Sequence, residues 1–103
     1  MTTTIYTVQG PPLWPHNQFR IHGGRSLQML DLRPWQVAEG TQVRIDGELV
    51  ATSETTMIKR SGLECREQRW TKHGGVVDVI NAGQSLRIYA SVHAIGTRVE
   101  VSQ

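Results

Sequence analysis

Apolar and polar residues alternate along most of this chain, in short runs broken by glycine and proline. Over residues 1–9, Tyr6 and Val8 share one side and Ile5 and Thr7 the other, which predicts a first strand or an extended arm. The segment Gly10-Pro11-Pro12-Leu13-Trp14-Pro15 ends it, because proline lacks the N–H that a central strand needs. Gln18 to His22 is a short strand candidate, Gly23-Gly24 a turn, and Ser26 to Leu32 the next strand, stopped by Arg33-Pro34-Trp35. Val43-Arg44-Ile45 and Glu48-Leu49-Val50 flank Asp46-Gly47, a strong signal for a two-residue hairpin because both turn positions need positive φ. Thr55 to Lys59 and Val76 to Ile80 are further strands. Leu86, Ile88, Ala90, Val92 and Ala94 form the longest strict alternation, opposite Ser85, Arg87, Tyr89, Ser91 and His93. After Gly96-Thr97, Arg98 to Ser102 turns Val99 and Val101 inward. The last three strands therefore predict an antiparallel meander.

Residues 61–74 admit two structures. Ser61-Gly62-Leu63-Glu64 matches a capping box, with acids early and Arg69, Lys72 and His73 late, which suits one short helix around 62–73. Leu63, Cys65 and Trp70 make no broad helical stripe, however, and a charged strand leading into Gly74-Gly75 is favoured. Gly24, Gly40 and Gly83 each begin a glycine, two variable residues, apolar, polar, apolar pattern, the last two at an offset of 43. Any turn followed by a strand produces this pattern, and no solenoid or propeller period accompanies it. The expected fold is all-β: a small antiparallel β-sandwich or barrel with a hairpin and meander in its C-terminal half. Residues 1–15 are read as an N-terminal arm or first strand with a Pro-rich crossing, and 16–103 as a single β domain.

Composition agrees with strands. Val, Ile and Thr supply 10, 7 and 10 of the 103 residues, and β-branched side chains suit a pleated surface. The single cysteine excludes a disulfide framework or a cysteine-built zinc site. No apolar run is long enough to span a bilayer, and no secretory signal opens the chain. The net charge of +2 is too small to imply nucleic acid by itself. Nine of the 11 basic residues are arginine, the cation enriched at protein interfaces, although a GC-rich genome gives the same bias.

Catalytic motifs are missing: no phosphate-cradling glycine loop, nucleophile elbow or helical zinc motif occurs. Cys65 between Glu64 and Arg66 reads as a small hydrophobe rather than a nucleophile. His16, His22, His73 and His93 lack a ligand spacing, so no metal and no cofactor is expected. Trp14, Trp35 and Trp70 seal a core that has one phenylalanine, anchor an interface, or stack on a sugar. The stripe of Arg87, Tyr89 and His93 is a solvated face or a contact surface, and Tyr6 joins the candidate partner-binding set. These features point to a non-enzymatic assembly subunit, such as phage capsid cement or decoration protein or a tail or connector component. Its partners would be copies of itself, capsid or tail proteins, or both, and its location the virion, assembled in the host cytoplasm, or otherwise the cytoplasm. A carbohydrate-binding β module is the alternative, and nucleic acid and membrane are not expected partners.

Overall fold

The computed structural model describes residues 2–10, 17–21, 24–74, 79–82 and 85–103, with backbone only for 79–82. Among these residues lie ten strands: β1 (Thr3–Gln9), β2 (Gln18–Ile21), β3 (Ser26–Leu27), β4 (Met29–Leu32), β5 (Gln42–Ile45), β6 (Glu48–Arg60), β7 (Leu63–Lys72), β8 (Val79–Ala82), β9 (Ser85–Tyr89) and β10 (Arg98–Ser102). Short 3-10 turns at Pro34–Gln36 and Ala90–Val92 follow β4 and β9. All pairing is antiparallel, in a seven-stranded sheet ordered β3-β2-β1-β10-β5-β6-β7 and a three-stranded sheet ordered β4-β9-β8. The fold is all-β, as the alternation predicts. Both sheets feed one core: Val8, Phe19, Val43, Trp70 and Val99 from the larger, Leu30, Leu86 and Ile88 from the smaller.

The two halves of the chain repeat each other about a pseudo-twofold axis. Asp31 pairs with Arg87 across β4 and β9, and Arg44 with Glu100 across β5 and β10; each pair is 56 residues apart. A twofold axis through both pairs exchanges β4 with β9 and β5 with β10. It also exchanges the hairpin β1–β2 with the hairpin β6–β7, which flank β10 and β5 symmetrically. The connection repeats in detail. Pro34 and Ala90 are both buried, and Ala38-Glu39-Gly40-Thr41 matches Ala94-Ile95-Gly96-Thr97. Thr41 N–H donates to Ala38 O and Thr97 N–H to Ala94 O, each at 3.1 Å. Gly40 then donates to Ser53 O on β6, while Gly96 donates to Val8 O on β1. Even the side-chain clasps correspond: Gln68 Nε2 donates to Val37 O and Asn17 Nδ2 to His93 O, both at 2.9 Å. Gly40 and Gly96 hold φ of +83° and +93° with open space where a Cβ would stand, so the requirement there is the backbone itself. Gly96→Ala is expected to lower stability by about 1–2 kcal/mol, measured by urea unfolding, without altering the strand content seen by circular dichroism.

Several expectations hold and others are corrected. Asp46-Gly47 does form the turn, with φ of 49° and 84°. The helix considered around 62–73 is β7, a strand. Ser61 and Gly62, at φ 51° and 78°, make a second left-handed hairpin turn instead of a helix cap, and the charges of 63–72 pair across to β6. The C-terminal meander fails at its last step. β8 and β9 pair as expected, but β10 crosses to the other sheet and lies between β1 and β5. The alternation read through Ala94 overshoots, because the chain leaves β9 at Tyr89 and turns; Val92 and Ala94 are exposed. The repeat at an offset of 43 is not the structural one: the counterpart of β5 is β10, which follows Gly96. Residues 3–9 are a central strand paired with both β2 and β10, while the Pro-rich 11–16 lies outside the described residues.

Candidate interaction surface

β6 and β7 pair continuously from Ala51–Lys72 to Arg60–Leu63. Their inner ends belong to the body, where Ser53 and Trp70 face each other and are buried. From Glu54–Arg69 outward the two strands run on as a ribbon. Its seven pairs span about 24 Å at the usual rise of about 3.4 Å per residue. The molecule accordingly measures 54 Å along one axis and 27 and 24 Å along the others. Most of the ribbon is exposed on both faces, including Met57 (58%) and Leu63 (69%) near its tip.

Polar contacts stiffen the ribbon and root it. The Glu67 carboxylate bridges Arg60 at 3.2 Å and Arg69 at 2.6 Å, and Thr71 Oγ1 donates to Glu54 Oε2 at 2.9 Å. Exposed ion pairs of this type each contribute at most about 1 kcal/mol, so they shape the ribbon more than they hold it. The root is firmer. Gln68 Nε2 donates to Ser53 Oγ as well as to Val37 O, and the Trp70 indole N–H donates to Leu32 O at 2.8 Å. These bonds fasten β7 to the end of β4 and to the turn that follows it.

The residues singled out in the sequence scatter over this frame. Trp70 is a core residue, 7% exposed, which removes it from the surface set. Trp35 stands in the first 3-10 turn and is 57% exposed. Tyr6, on β1, is half-buried against the core, and burial raises its phenol above the ordinary range. Trp14 lies outside the described residues. Arg87 and Tyr89 do share one side of β9, opposite Asp31 and Met29. Arg87 Nε and Asp31 Oδ1 are 3.9 Å apart, an ion pair too long for a hydrogen bond, and neither buried atom finds another partner among the described residues. His93 closes the second 3-10 turn, with its carbonyl accepting from Asn17 and its ring Nε2 buried.

Beside that turn lies a cavity of about 160 Å³ lined by Asn17, Gln28, Tyr89 and Ser91. It is smaller than the roughly 300 Å³ at which drug-sized ligand sites begin. Its lining is neutral and offers amides, hydroxyls and one aromatic ring. Among the described residues, no three His, Cys, Asp or Glu side chains converge as a metal site, and no helix is long and apolar enough to cross a membrane.

The ribbon was not foreseen as a projecting element. Its only trace in the sequence is that apolar alternation lapses after Ser53 while residues that favour strands continue to Ile58. No protein-family model matches this chain, and no curated protein or solved structure matches it significantly.

Proposed function

We propose that the protein is a non-catalytic assembly subunit that engages neighbouring protein subunits through the β6–β7 ribbon. The observation that carries this reading is the ribbon itself. A two-stranded hairpin gains little stability alone in water, and this one extends seven residue pairs past the core with apolar side chains at its tip. A feature of that kind contributes little to its own domain and suits insertion against another. Exposed Trp35 on the body adds an aromatic of the type that anchors interfaces. A small virion component, capsid cement or decoration protein or a tail or connector subunit, is the setting this implies, where many copies give avidity to individually small contacts.

The test is to replace residues 57–66 by Asn-Gly, which closes Thr56 onto Glu67 with a hairpin turn and keeps the Gln68 root, and to express both chains in the native host. The shortened chain is expected to keep its strand signal but to sediment as a free small protein, while the full chain travels with large particles. Full-length protein that never leaves the top of the gradient overturns the reading, as does a shortened chain that still enters particles.

A second reading, carbohydrate binding, is favoured by the neutral cavity at Asn17, Gln28, Tyr89 and Ser91. Binding of a defined glycan that Tyr89→Ala abolishes would select it over assembly.

A further inference from the structure

Among the described residues the ribbon has a free edge, and its backbone bonding pattern shows which residues occupy it. His73 N–H donates to Val50 O, so Val50 and His73 form a hydrogen-bonded pair. In an antiparallel ladder such pairs recur every second residue. The bonded pairs up the ribbon are therefore 52–71, 54–69, 56–67, 58–65 and 60–63. Ser53 agrees, since its backbone N–H and C=O turn the other way, to Thr41 and Gly40. On β7, it follows that the backbone groups of Glu64 and Arg66 point away from β6. β7 is also the last strand of its sheet. Neither Glu64 nor Arg66 makes an ion pair with a described residue, and both are exposed.

Resting on the ribbon's role as an assembly arm, we infer that this edge pairs with the same edge of a second copy, antiparallel, with Glu64 opposite Arg66 of the second copy and Cys65 on the twofold axis. Three constraints converge on that register. A twofold axis normal to the sheet must pass through one residue of β7 and its own copy. The outward backbone groups at 64 and 66 must meet each other. Charge then decides among the registers that remain, since a slip of two residues sets Glu64 on Glu64 one way and Arg66 on Arg66 the other, and like charges directly opposite destabilise a sheet. Edge charges ordinarily guard against indiscriminate pairing; here they leave one self-complementary alignment open. The overlap is short, Leu63 to Glu67, and lies beside the ribbon tip, so the two bodies sit at opposite ends without collision. The outcome is a four-stranded sheet, β6-β7-β7-β6, past the minimum of about three strands for independent stability. The other ribbon edge exposes Thr55, Met57 and Lys59, which offers Lys59 no acid in a self-pair.

Sedimentation velocity of the full chain across a concentration series tests this. The native protein is expected to pass from monomer to dimer. Glu64→Arg or Arg66→Glu alone is expected to weaken the dimer about tenfold or more, and the double variant E64R/R66E to restore it to within about threefold. Cys65 and its copy form a non-hydrogen-bonded pair with Cα atoms about 4.5 Å apart, at the near limit of disulfide geometry. Diamide, which takes up the two electrons and two protons released, is therefore expected to cross-link the native and double-variant chains but not the single ones. A chain that stays monomeric at all concentrations overturns the inference, as does a dimer indifferent to these reversals or one the double variant fails to restore. Glu64→Gln and Arg66→Gln, expected to weaken the dimer less than the reversals, give the same decision should a reversal disturb folding. If ribbon excision releases the protein from particles while the reversals change nothing, this pairing fails and the assembly reading stands. If the chain dimerises through 64 and 66 but never joins particles, the pairing stands and the assembly reading fails.

Discussion

Trp70→Ala is expected to cost about 3–5 kcal/mol, a large part of the roughly 5–15 kcal/mol that holds a domain of this size. Trp70 is the side chain where ribbon and body meet. It is 7% exposed, packs in the common core, and its indole N–H reaches Leu32 O at the end of β4. Alanine leaves a cavity and a carbonyl without its donor, two penalties that add. Trp70→Phe keeps most of the volume and is expected to cost only about 1–3 kcal/mol, chiefly the lost hydrogen bond. Urea unfolding followed by circular dichroism measures both. Trp35→Ala, on an exposed ring, is the control and should stay within about 0.5 kcal/mol. A Trp70→Ala loss as small as that of Trp35→Ala would mean that β7 is not anchored where the geometry puts it.

The second large effect is expected at Phe19, the residue that the pseudo-twofold axis places opposite Trp70. Val8 and Phe19 pair in the first hairpin as Ser53 and Trp70 do in the second. Phe19 is fully buried and among the largest side chains of the core. Phe19→Ala is expected to cost about 3–5 kcal/mol by the same cavity argument. The difference lies in rescue. Phe19 has no polar atom to satisfy, so Phe19→Leu is expected to recover all but about 1.5 kcal/mol, whereas no hydrocarbon replaces the Trp70 N–H. Equilibrium unfolding of the four variants side by side separates apolar filling from the hydrogen bond. Equal rescue at both sites would remove the Trp70–Leu32 bond from the account.

The strands were legible where each has one wet and one dry face. β1, β5 and β10 are of this type, and Asp46-Gly47 marked its turn because few residues tolerate two successive positive φ values. The ribbon was harder, since both its faces meet solvent and nothing forces alternation on Glu54–Arg60. Trp70 was hidden for a related reason. It is the one buried position in a strand where five of the other nine residues are charged, and only its correspondence with Phe19 would have revealed it. The repeat escaped because its identities are sparse: Gln28 with Gln84 and Leu30 with Leu86, then Ala, Gly and Thr in the connection and Val in the strand after it. Under the offset of 56 residues Trp35 corresponds to Ser91 and Asp31 to Arg87, so the side chains differ where the backbone is alike. Of the candidate surface, Arg87 and Tyr89 share one side of β9 as alternation predicts, whereas His93 lies past the end of that strand at the close of the second 3-10 turn, and nothing along the chain said that Glu64 and Arg66 share an edge.

Thr2 and Gln103 occupy the place that Asp46-Gly47 fills in the other half. Thr2 and Gln103 exchange backbone hydrogen bonds at 3.2 and 2.8 Å, which closes β1 against β10 much as the Asp46-Gly47 turn closes β5 against β6. A link of two turn-forming residues between 103 and 2 and a cut between Asp46 and Gly47 would exchange start and middle without moving a strand. Neither half is structurally first, and a new terminus at Gly47 would begin the polypeptide with the strand that carries the ribbon.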